Sequence, residues 1–140
     1  MRRAVYLTIA AGFVALSFVA PRAAQAQSAD TPAVFTLDEG LAKKGKSLWS
    51  ARACSGCHTI GKGRMAGPDL AHVNDRRTQE WLHAWLKDPP KMIETDPDAK
   101  ALAAQYNNVK MPNMKLTDDD IKALVHHIAK ESQKVKKSEK

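Results

Sequence analysis

Two cysteines and a histidine stand close together in the run Cys54-Ser55-Gly56-Cys57-His58. The C-x-x-C-H spacing suits covalent attachment of one haem, because the two thiols can form thioethers with its two vinyl groups. The adjoining imidazole of His58 can then bind the iron. The motif therefore predicts a one-electron redox centre.

Other chemistries of paired cysteines fit this chain less well. A thioredoxin-like dithiol needs a βαβ setting, whereas the residues around Cys54 have a helical pattern and no strand-like run precedes them. A structural zinc site usually takes its four ligands from two spaced pairs, and the chain has only two cysteines. Haem attachment is therefore the interpretation that the motif favours.

The N-terminus has the pattern of a secretory signal. Arg2 and Arg3 precede an uncharged apolar run from Ala4 to Ala20, and Ala24-Gln25-Ala26 is a small-residue cleavage site. We predict that residues 1–26 are a signal peptide that is removed on export. An uncleaved anchor is the alternative, because the apolar run is nearly as long as a membrane span.

The charge balance limits the classes of partner. The 140 residues carry a formal net charge of +7, which falls to +4 without residues 1–26, since these contain three arginines and no acidic residue. Part of the remaining excess lies in the lysines of the C-terminal tail. We therefore expect no nucleic-acid binding. Cleavage of the signal is expected to leave no stable membrane insertion.

The rest of the chain predicts an all-α domain without repeats. We expect a flexible leader over residues 27–35, a domain over 36–131 and a flexible basic tail over 132–140. Capping residues and apolar periodicity predict four helices. They run from Leu37 to Ala53 behind a Thr36 and Glu39 capping box, from Gln79 to Lys87 behind Thr78, from Asp96-Pro97 to Tyr106, and from Thr117 into the tail.

Glycines mark a helix contact and a loop. Gly45 lies inside the first predicted helix, where glycine costs about 1 kcal/mol relative to alanine, so we expect a close approach of another helix there. The segment from Gly61 to Asp69 is too rich in Gly and Pro to be a helix. It predicts a loop that wraps one side of the haem.

A capped helix leads into C-x-x-C-H and is followed by a Gly-Pro-Asp-Leu loop, a Met-Pro strap and a helix opened by Leu-Thr-Asp-Asp-Asp. In this order the features resemble the monohaem class I c-type cytochromes of bacteria, over about Leu37 to Lys130. The resemblance implies a cytochrome c-like fold of about four helices around one haem c, held by Cys54 and Cys57. It also implies a periplasmic electron carrier that is not an enzyme.

The resemblance implies redox proteins as partners, one that donates electrons and one that accepts them. The protein is expected to be a monomer or to associate weakly, and the alternative is a haem c subunit of a periplasmic oxidoreductase complex. Lys62, Arg64 and Lys110 flank the segments expected near the haem edge. These residues are candidates for steering acidic partners.

The resemblance implies a histidine and a methionine as the two axial ligands of the iron, with His58 as the first. Met111 matches the Met-Pro pattern of the family, and Pro112 stiffens the strap around it. Met114 is the alternative, ahead of Met65 and Met92. A histidine at the sixth position stays open, although surface or helix-flank roles are expected for the others, which are His72, His83, His126 and His127.

Further contacts to the cofactor also come from the resemblance. The family uses the proline carbonyl of its Gly-Pro-x-Leu segment to accept the second ring N–H of the ligating histidine, and Pro68 holds that position. Trp81 or Trp85 either donates to a haem propionate or belongs to the core. Asn113 either donates to the methionine sulfur or shapes a turn.

Overall fold

The structure, a computed structural model, describes residues 35–138. Every regular element in this range is a helix, which confirms the predicted all-α class. The predicted signal peptide, residues 1–26, and all of the leader except Phe35 lie outside the described residues. Six α-helices are present where about four were expected: α1 (Glu39–Ala51), α2 (Val73–Arg76), α3 (Gln79–Lys87), α4 (Pro89–Thr95), α5 (Pro97–Gln105) and α6 (Asp118–Ser138).

None of the helices between residues 35 and 138 combines the length and the apolar character needed to cross a membrane. The longest, α6, opens with three aspartates and carries charged residues along its length.

Helices α1 and α6 form the largest contact between elements of the described chain. Ala42 and Gly45 of α1 are buried in this contact. A Cβ atom placed on Gly45 would overlap the backbone carbonyl of Ala123 and the side chain of His127 on α6. The expected close approach of a second helix at Gly45 is therefore confirmed.

The N-terminus of α1 differs from its prediction. The cap is Asp38, whose carboxylate accepts from the backbone N–H of Leu41 at 2.8 Å, so the helix begins at Glu39 and the Thr36 capping box is wrong. The backbone N–H of Asp38 donates to Nδ1 of His126 at 3.0 Å. This contact from α6 holds Asp38 in the extended conformation that a capping residue needs.

The expectation of surface or helix-flank roles for His126 and His127 is also wrong. Both side chains are buried, and burial lowers the pKa of each imidazole. The ring of His126 lies against Phe35, with centroids 4.7 Å apart, and the ring of His127 meets the edge of Trp49 at 5.8 Å. The two histidines therefore belong to the contact between α1 and α6.

The middle of the chain contains two helices that its pattern did not predict, α2 and α4. Helix α3 begins behind Thr78, whose hydroxyl accepts from the N–H of Trp81, and it ends at Lys87 as expected. Pro89 and Pro90, which follow α3, are the first two residues of α4, and Asp88 caps the N-terminus of this helix. Proline is compatible with the first turn of a helix, where its missing N–H breaks no hydrogen bond. Helix α5 then begins behind Asp96 as predicted.

The last helix runs through most of the predicted flexible tail. Thr117 precedes α6 and its hydroxyl accepts from the N–H of Asp120 at 3.2 Å, which confirms the predicted start. The helix continues to Ser138, so residues 132–138 are helical. Ser132 is buried, and its hydroxyl donates to the carbonyl of Ile128 and accepts from the N–H of His72. These contacts bind the predicted tail to the domain.

The predicted loop after the C-x-x-C-H motif is organised by one carboxylate. Asp69 accepts four hydrogen bonds, from Oγ1 of Thr59 and from the backbone N–H groups of Gly61, Gly63 and Ala71, at 2.6 to 2.8 Å. Burial alone would raise the pKa of Asp69, but these hydrogen bonds outweigh it and hold the pKa far below its ordinary value. The ionised carboxylate thus determines the shape of this loop.

Replacing Gly45 with Ala should destabilise the protein, although alanine normally favours a helix over glycine. The added methyl group would force α1 away from the backbone of α6, which we expect to lower the free energy of unfolding by about 2 kcal/mol. Unfolding in urea measures the change. Lys43→Ala, on the exposed side of the same helix, is the control and should unfold like the natural protein. Equal stability of the two variants would contradict the close contact.

Replacing Asp69 with Asn should cost roughly 1–2 kcal/mol at pH 7, because the amide turns N–H donors toward the N–H groups of the loop. The folded-state pKa of Asp69 is lower than the ordinary value of 3.8, so its carboxylate stabilises the fold above that value. This stabilisation disappears as the pH falls below about 4 toward the folded-state pKa. The stability difference between Asp69→Asn and the natural protein should therefore shrink in acid, as measured by urea unfolding across pH.

The exposed residue Glu94 supplies a matched control for the acid titration. Glu94→Gln also removes one carboxylate, and its stability should follow that of the natural protein at every pH. If the stability difference between Asp69→Asn and the natural protein stays constant down to low pH, the stabilising role of the ionised Asp69 carboxylate is contradicted.

Candidate haem-binding site

The C-x-x-C-H motif is folded into a tight turn directly after α1. Ala53 has a left-handed backbone with φ of 52°, so the chain turns away from the axis of α1. Residues Cys54–Gly56 then form one 3₁₀ turn. The carbonyl of Cys54 accepts from the N–H groups of both Cys57 and His58, at 3.2 and 3.0 Å. The turn therefore brings the two thiols and the imidazole to the wall of one crevice.

An apolar crevice lies between this turn and the helices α3, α5 and α6. Two adjoining cavities form it, and one of them is also lined by Cys57. The lining on both sides is dominated by aliphatic and aromatic side chains, which suits the faces of a flat apolar macrocycle. Six residues line both cavities, namely Cys54, His58, Pro68, Trp85, Leu102 and Met111.

The ring of His58 is held in one orientation by the loop that follows it. Its Nδ1 lies 2.9 Å from the carbonyl oxygen of Pro68, and because a carbonyl only accepts, Nδ1 carries the proton. Nε2 is then the ring nitrogen with a free lone pair, as a metal ligand requires. The hydrogen bond expected between these two residues is present, while their roles toward iron stay a prediction.

Gly67 explains why the loop can pass so close to this ring. A Cβ atom at Gly67 would overlap the imidazole of His58, so only glycine fits at this position. The N–H of Gly67 also donates to the carbonyl of Cys57 at 2.8 Å, which connects the loop back to the turn. Glycine and proline in the Gly-Pro-Asp-Leu segment therefore have separate roles in placing the histidine.

The methionines differ in their relation to the crevice. Met111 lines both cavities, whereas Met114 lines one and packs against the core cluster of α3 and α6. Met65 is 45% exposed, and neither it nor Met92 lines the described crevice. This placement favours Met111 over Met114 as a ligand from the strap, and the assignment remains a prediction.

The other histidines do not reach this crevice. Among the described residues, its lining includes His58 but none of the remaining four histidines. His83 is exposed and contacts Asp118 at 3.0 Å, in agreement with the solvated position predicted for it. His72 supplies the residue before α2, and its Nδ1 lies 3.5 Å from Asp75.

A polar group that no sequence pattern indicated lies in the crevice wall. Asn74 of α2 has both amide atoms buried, and neither has a hydrogen-bond partner within residues 35–138. Arg76 and Arg77 line the same cavity. Unpartnered amides are costly in an apolar setting, and haem carries carboxylates that accept from amide and guanidinium donors. The residues of this wall therefore fit a haem group, and an unpredicted four-residue helix places them.

The two tryptophans of α3 are stacked, with ring centroids 5.4 Å apart. Nε1 of Trp81 donates to the carboxylate of Asp96 at 3.3 Å, and the guanidinium of Arg77 lies over the Trp81 ring, 4.9 Å from its centroid. The indole N–H of Trp81 is thus engaged within the protein. Of the two candidates for a propionate contact, Trp85 is the one whose ring lines both cavities.

The three basic residues expected at the haem edge occupy different surroundings. Lys110 lines the crevice, whereas Lys62 lines a separate polar groove beside α1 and α6. Arg64 contacts the end of α5, where its guanidinium lies over the ring of Tyr106. Among these three residues, Lys110 is therefore the best placed to meet a partner at the crevice opening.

Comparisons with known proteins agree with this geometry. A family model described as "Cytochrome c" matches residues 42–132. The solved cytochrome c from Rhodothermus marinus is 26% identical and aligns over 71% of this chain and 83% of its own, with a TM-score of 0.65. The cytochrome c domain of the pp3183 protein from Pseudomonas putida is 39% identical over 64% of this chain and 88% of its own, with a TM-score of 0.56.

A curated relative gives a further comparison. Cytochrome c oxidase subunit 2 of Alkalihalophilus pseudofirmus is 25% identical over 99 residues, which are 64% of this chain. The match covers only 25% of that protein, so the chain spans about a quarter of its length. Since the family match includes the C-x-x-C-H turn and most of both α1 and α6, the chain belongs to the cytochrome c family and carries haem c bound covalently through Cys54 and Cys57.

Proposed function

We propose that this protein is a periplasmic one-electron carrier in which His58 and Met111 are the axial ligands of the haem iron. Membership of the cytochrome c family implies electron transfer. The observation that carries the finer proposal is the convergence of both residues on the crevice that contains Cys54. When bound, haem c supplies an iron centre that accepts and releases one electron.

His58 would bind the iron through Nε2, because Nδ1 is occupied by its hydrogen bond to the Pro68 carbonyl. This bond fixes the tautomer of the imidazole, holds the plane of its ring and raises its basicity as a ligand. Gly67 presses against the ring from the same loop and limits its rotation. The histidine side of the site is therefore rigid, and a rigid site keeps the reorganisation energy of electron transfer small.

Met111 would fill the opposite axial position with its thioether sulfur. A thioether raises the reduction potential of the iron relative to a second imidazole. With both axial positions filled by protein side chains, the iron offers no open position for a substrate. We infer for this reason that the protein carries electrons and is not an enzyme.

The walls of the crevice would exclude water from most of the macrocycle and leave an edge for electron exchange. Trp85 and Leu102 line the crevice and would contact the macrocycle, and exposed Lys110 lies at the opening. Positive charge at such an opening favours fast, weak docking with acidic redox proteins. A donor and an acceptor that dock in turn at this opening would suit a shuttle.

A stable subunit or domain of an oxidoreductase complex is the second candidate function. The relatives favour it, because one is named as a subunit of cytochrome c oxidase and another as the cytochrome c domain of a protein. Purification from the native periplasm separates the two candidates. A shuttle should elute as a monomer, whereas a subunit should co-purify with a partner chain in a fixed ratio.

Replacing Met111 with Ala tests the sixth ligand. The variant should change from a low-spin haem to one with a water-accessible iron, its reduction potential should fall, and it should bind cyanide or carbon monoxide that the natural protein resists. Absorption spectra and a redox titration measure these changes.

Met114→Ala is the matched control for this experiment, because it removes a methionine three residues further along the same strap. Its spectrum and potential should remain close to those of the natural protein, although its packing against the core is weakened. The opposite ranking of the two variants would assign Met114 as the ligand. Unchanged spectra in both would exclude methionine ligation from this strap.

The proposed location is tested at the N-terminus of the mature protein. We expect export to remove residues 1–26, so that N-terminal sequencing of the periplasmic fraction begins at or near Gln27. Recovery of the intact N-terminus in washed membranes would instead identify the apolar run as an anchor.

A further inference from the structure

The strap that carries Met111 is held by its ends and not by its own backbone. Residues 109–117 form no helix or strand. Among the described residues, the N–H groups of Lys110, Met111, Asn113 and Met114 donate to no backbone carbonyl. Lifting residues 110–116 away from the crevice therefore breaks no backbone–backbone hydrogen bond of the described chain. Its side-chain anchors decide how easily it opens.

The two ends of the strap are anchored very differently. At the C-terminal end, Leu116 is 5% exposed and belongs to the core cluster, and Met114 packs against it. At the N-terminal end, Asn107 and Asn108 have left-handed backbones and exposed side chains, and Val109 is 56% exposed. The N-terminal end therefore lacks an apolar anchor of its own.

Arg64 contacts the end of α5, just before the N-terminal end of the strap. Its Nη2 donates to the carbonyl of Gln105 at 2.6 Å, and its guanidinium lies 4.2 Å from the centroid of the Tyr106 ring. The carbonyl belongs to the last residue of α5, where helix geometry leaves acceptors without partners and favours a cation. In the described part of the chain, this is the one hydrogen bond that joins residues 59–71 to residues 105–116.

The contact lies across the rim of the crevice. Ala66 and Gly67 from the loop of Arg64 line the same cavity as Tyr106, Lys110 and Met111. Arg64 thus connects the loop on the His58 side of the site to the start of the strap on the Met111 side. Gln105 and Tyr106 lie just before the strap, so these contacts fix the end of α5 from which the strap starts.

We propose that Arg64 is a positioning residue that keeps the strap closed, so that Met111 stays on the iron and external ligands are kept away. This inference rests on the proposed ligation by Met111. Arg64 does not line the crevice, and it acts through Gln105 and Tyr106. Its effect is on the fraction of time that the sixth position is open.

The test measures how fast cyanide binds to the ferric haem protein. Arg64→Gln should bind cyanide about tenfold faster than the natural protein, given the usual strength of a charge-assisted hydrogen bond and a cation–π contact at an exposed site. Tyr106→Leu should also accelerate binding, because it removes the aromatic face. Tyr106→Phe keeps that face and should bind cyanide at the natural rate.

Lys62→Gln is the control for charge, since it removes one positive charge from the same loop without a contact to the strap. Its cyanide binding should match that of the natural protein. A merely structural role of Arg64 would lower the thermal stability of Arg64→Gln and leave the cyanide rate unchanged, and this result would overturn the inference.

Met111→Ala, measured in parallel, separates this inference from the proposed function. If Met111→Ala binds cyanide rapidly while Arg64→Gln and Tyr106→Leu match the natural protein, only the role of Arg64 is overturned. If Met111→Ala binds cyanide no faster than the natural protein, ligation by Met111 is wrong, and the inference fails with it. Rapid binding in all three variants, with natural rates for Lys62→Gln and Tyr106→Phe, is the expected result.

Discussion

The backbone contact between α1 and α6 at Gly45 is the constraint on which the haem site depends. Because no side chain intervenes there, the two helices lie close enough for Trp49 to meet His127 and for His126 to hold Asp38 at the start of α1. The turn that bears both cysteines follows directly from the end of α1. The position of the thiols relative to the core therefore depends on how closely these two helices pack.

Two segments with little regular structure, the loop after the C-x-x-C-H motif and the strap, contribute to the walls of the haem crevice. Asp69 gathers one loop around its carboxylate, and the Pro68 carbonyl next to it fixes the imidazole of His58. The opposite side is a strap held mainly at its ends, by Leu116 in the core and by Arg64 near α5. A firm histidine side and a more easily opened methionine side follow from this difference in anchoring.

Family membership and individual features of this chain explain different parts of the molecule. The C-x-x-C-H turn, the apolar crevice and the contact between the terminal helices accompany the match to cytochromes c. The buried pair of His126 and His127 and the contact of Arg64 with Tyr106 were found only in the structure. The former features account for electron transfer, and the latter for how this particular chain stabilises its helices and its strap.

The sequence alone determined what depends on neighbouring residues: the haem attachment motif and the starts of α3, α5 and α6 behind Thr78, Asp96 and Thr117. Gly45 indicated a close helix contact, but only the structure identified α6 as the partner. Capping and motif chemistry act over a few residues, so they are readable from the chain. Only the tertiary structure decided the cap of α1, because His126, 88 residues away, holds Asp38. Contacts between distant segments also decided three other features, because the pattern of neighbouring residues does not encode such contacts. These features are the burial of two histidines, the unpartnered amide of Asn74 and the anchor at Arg64.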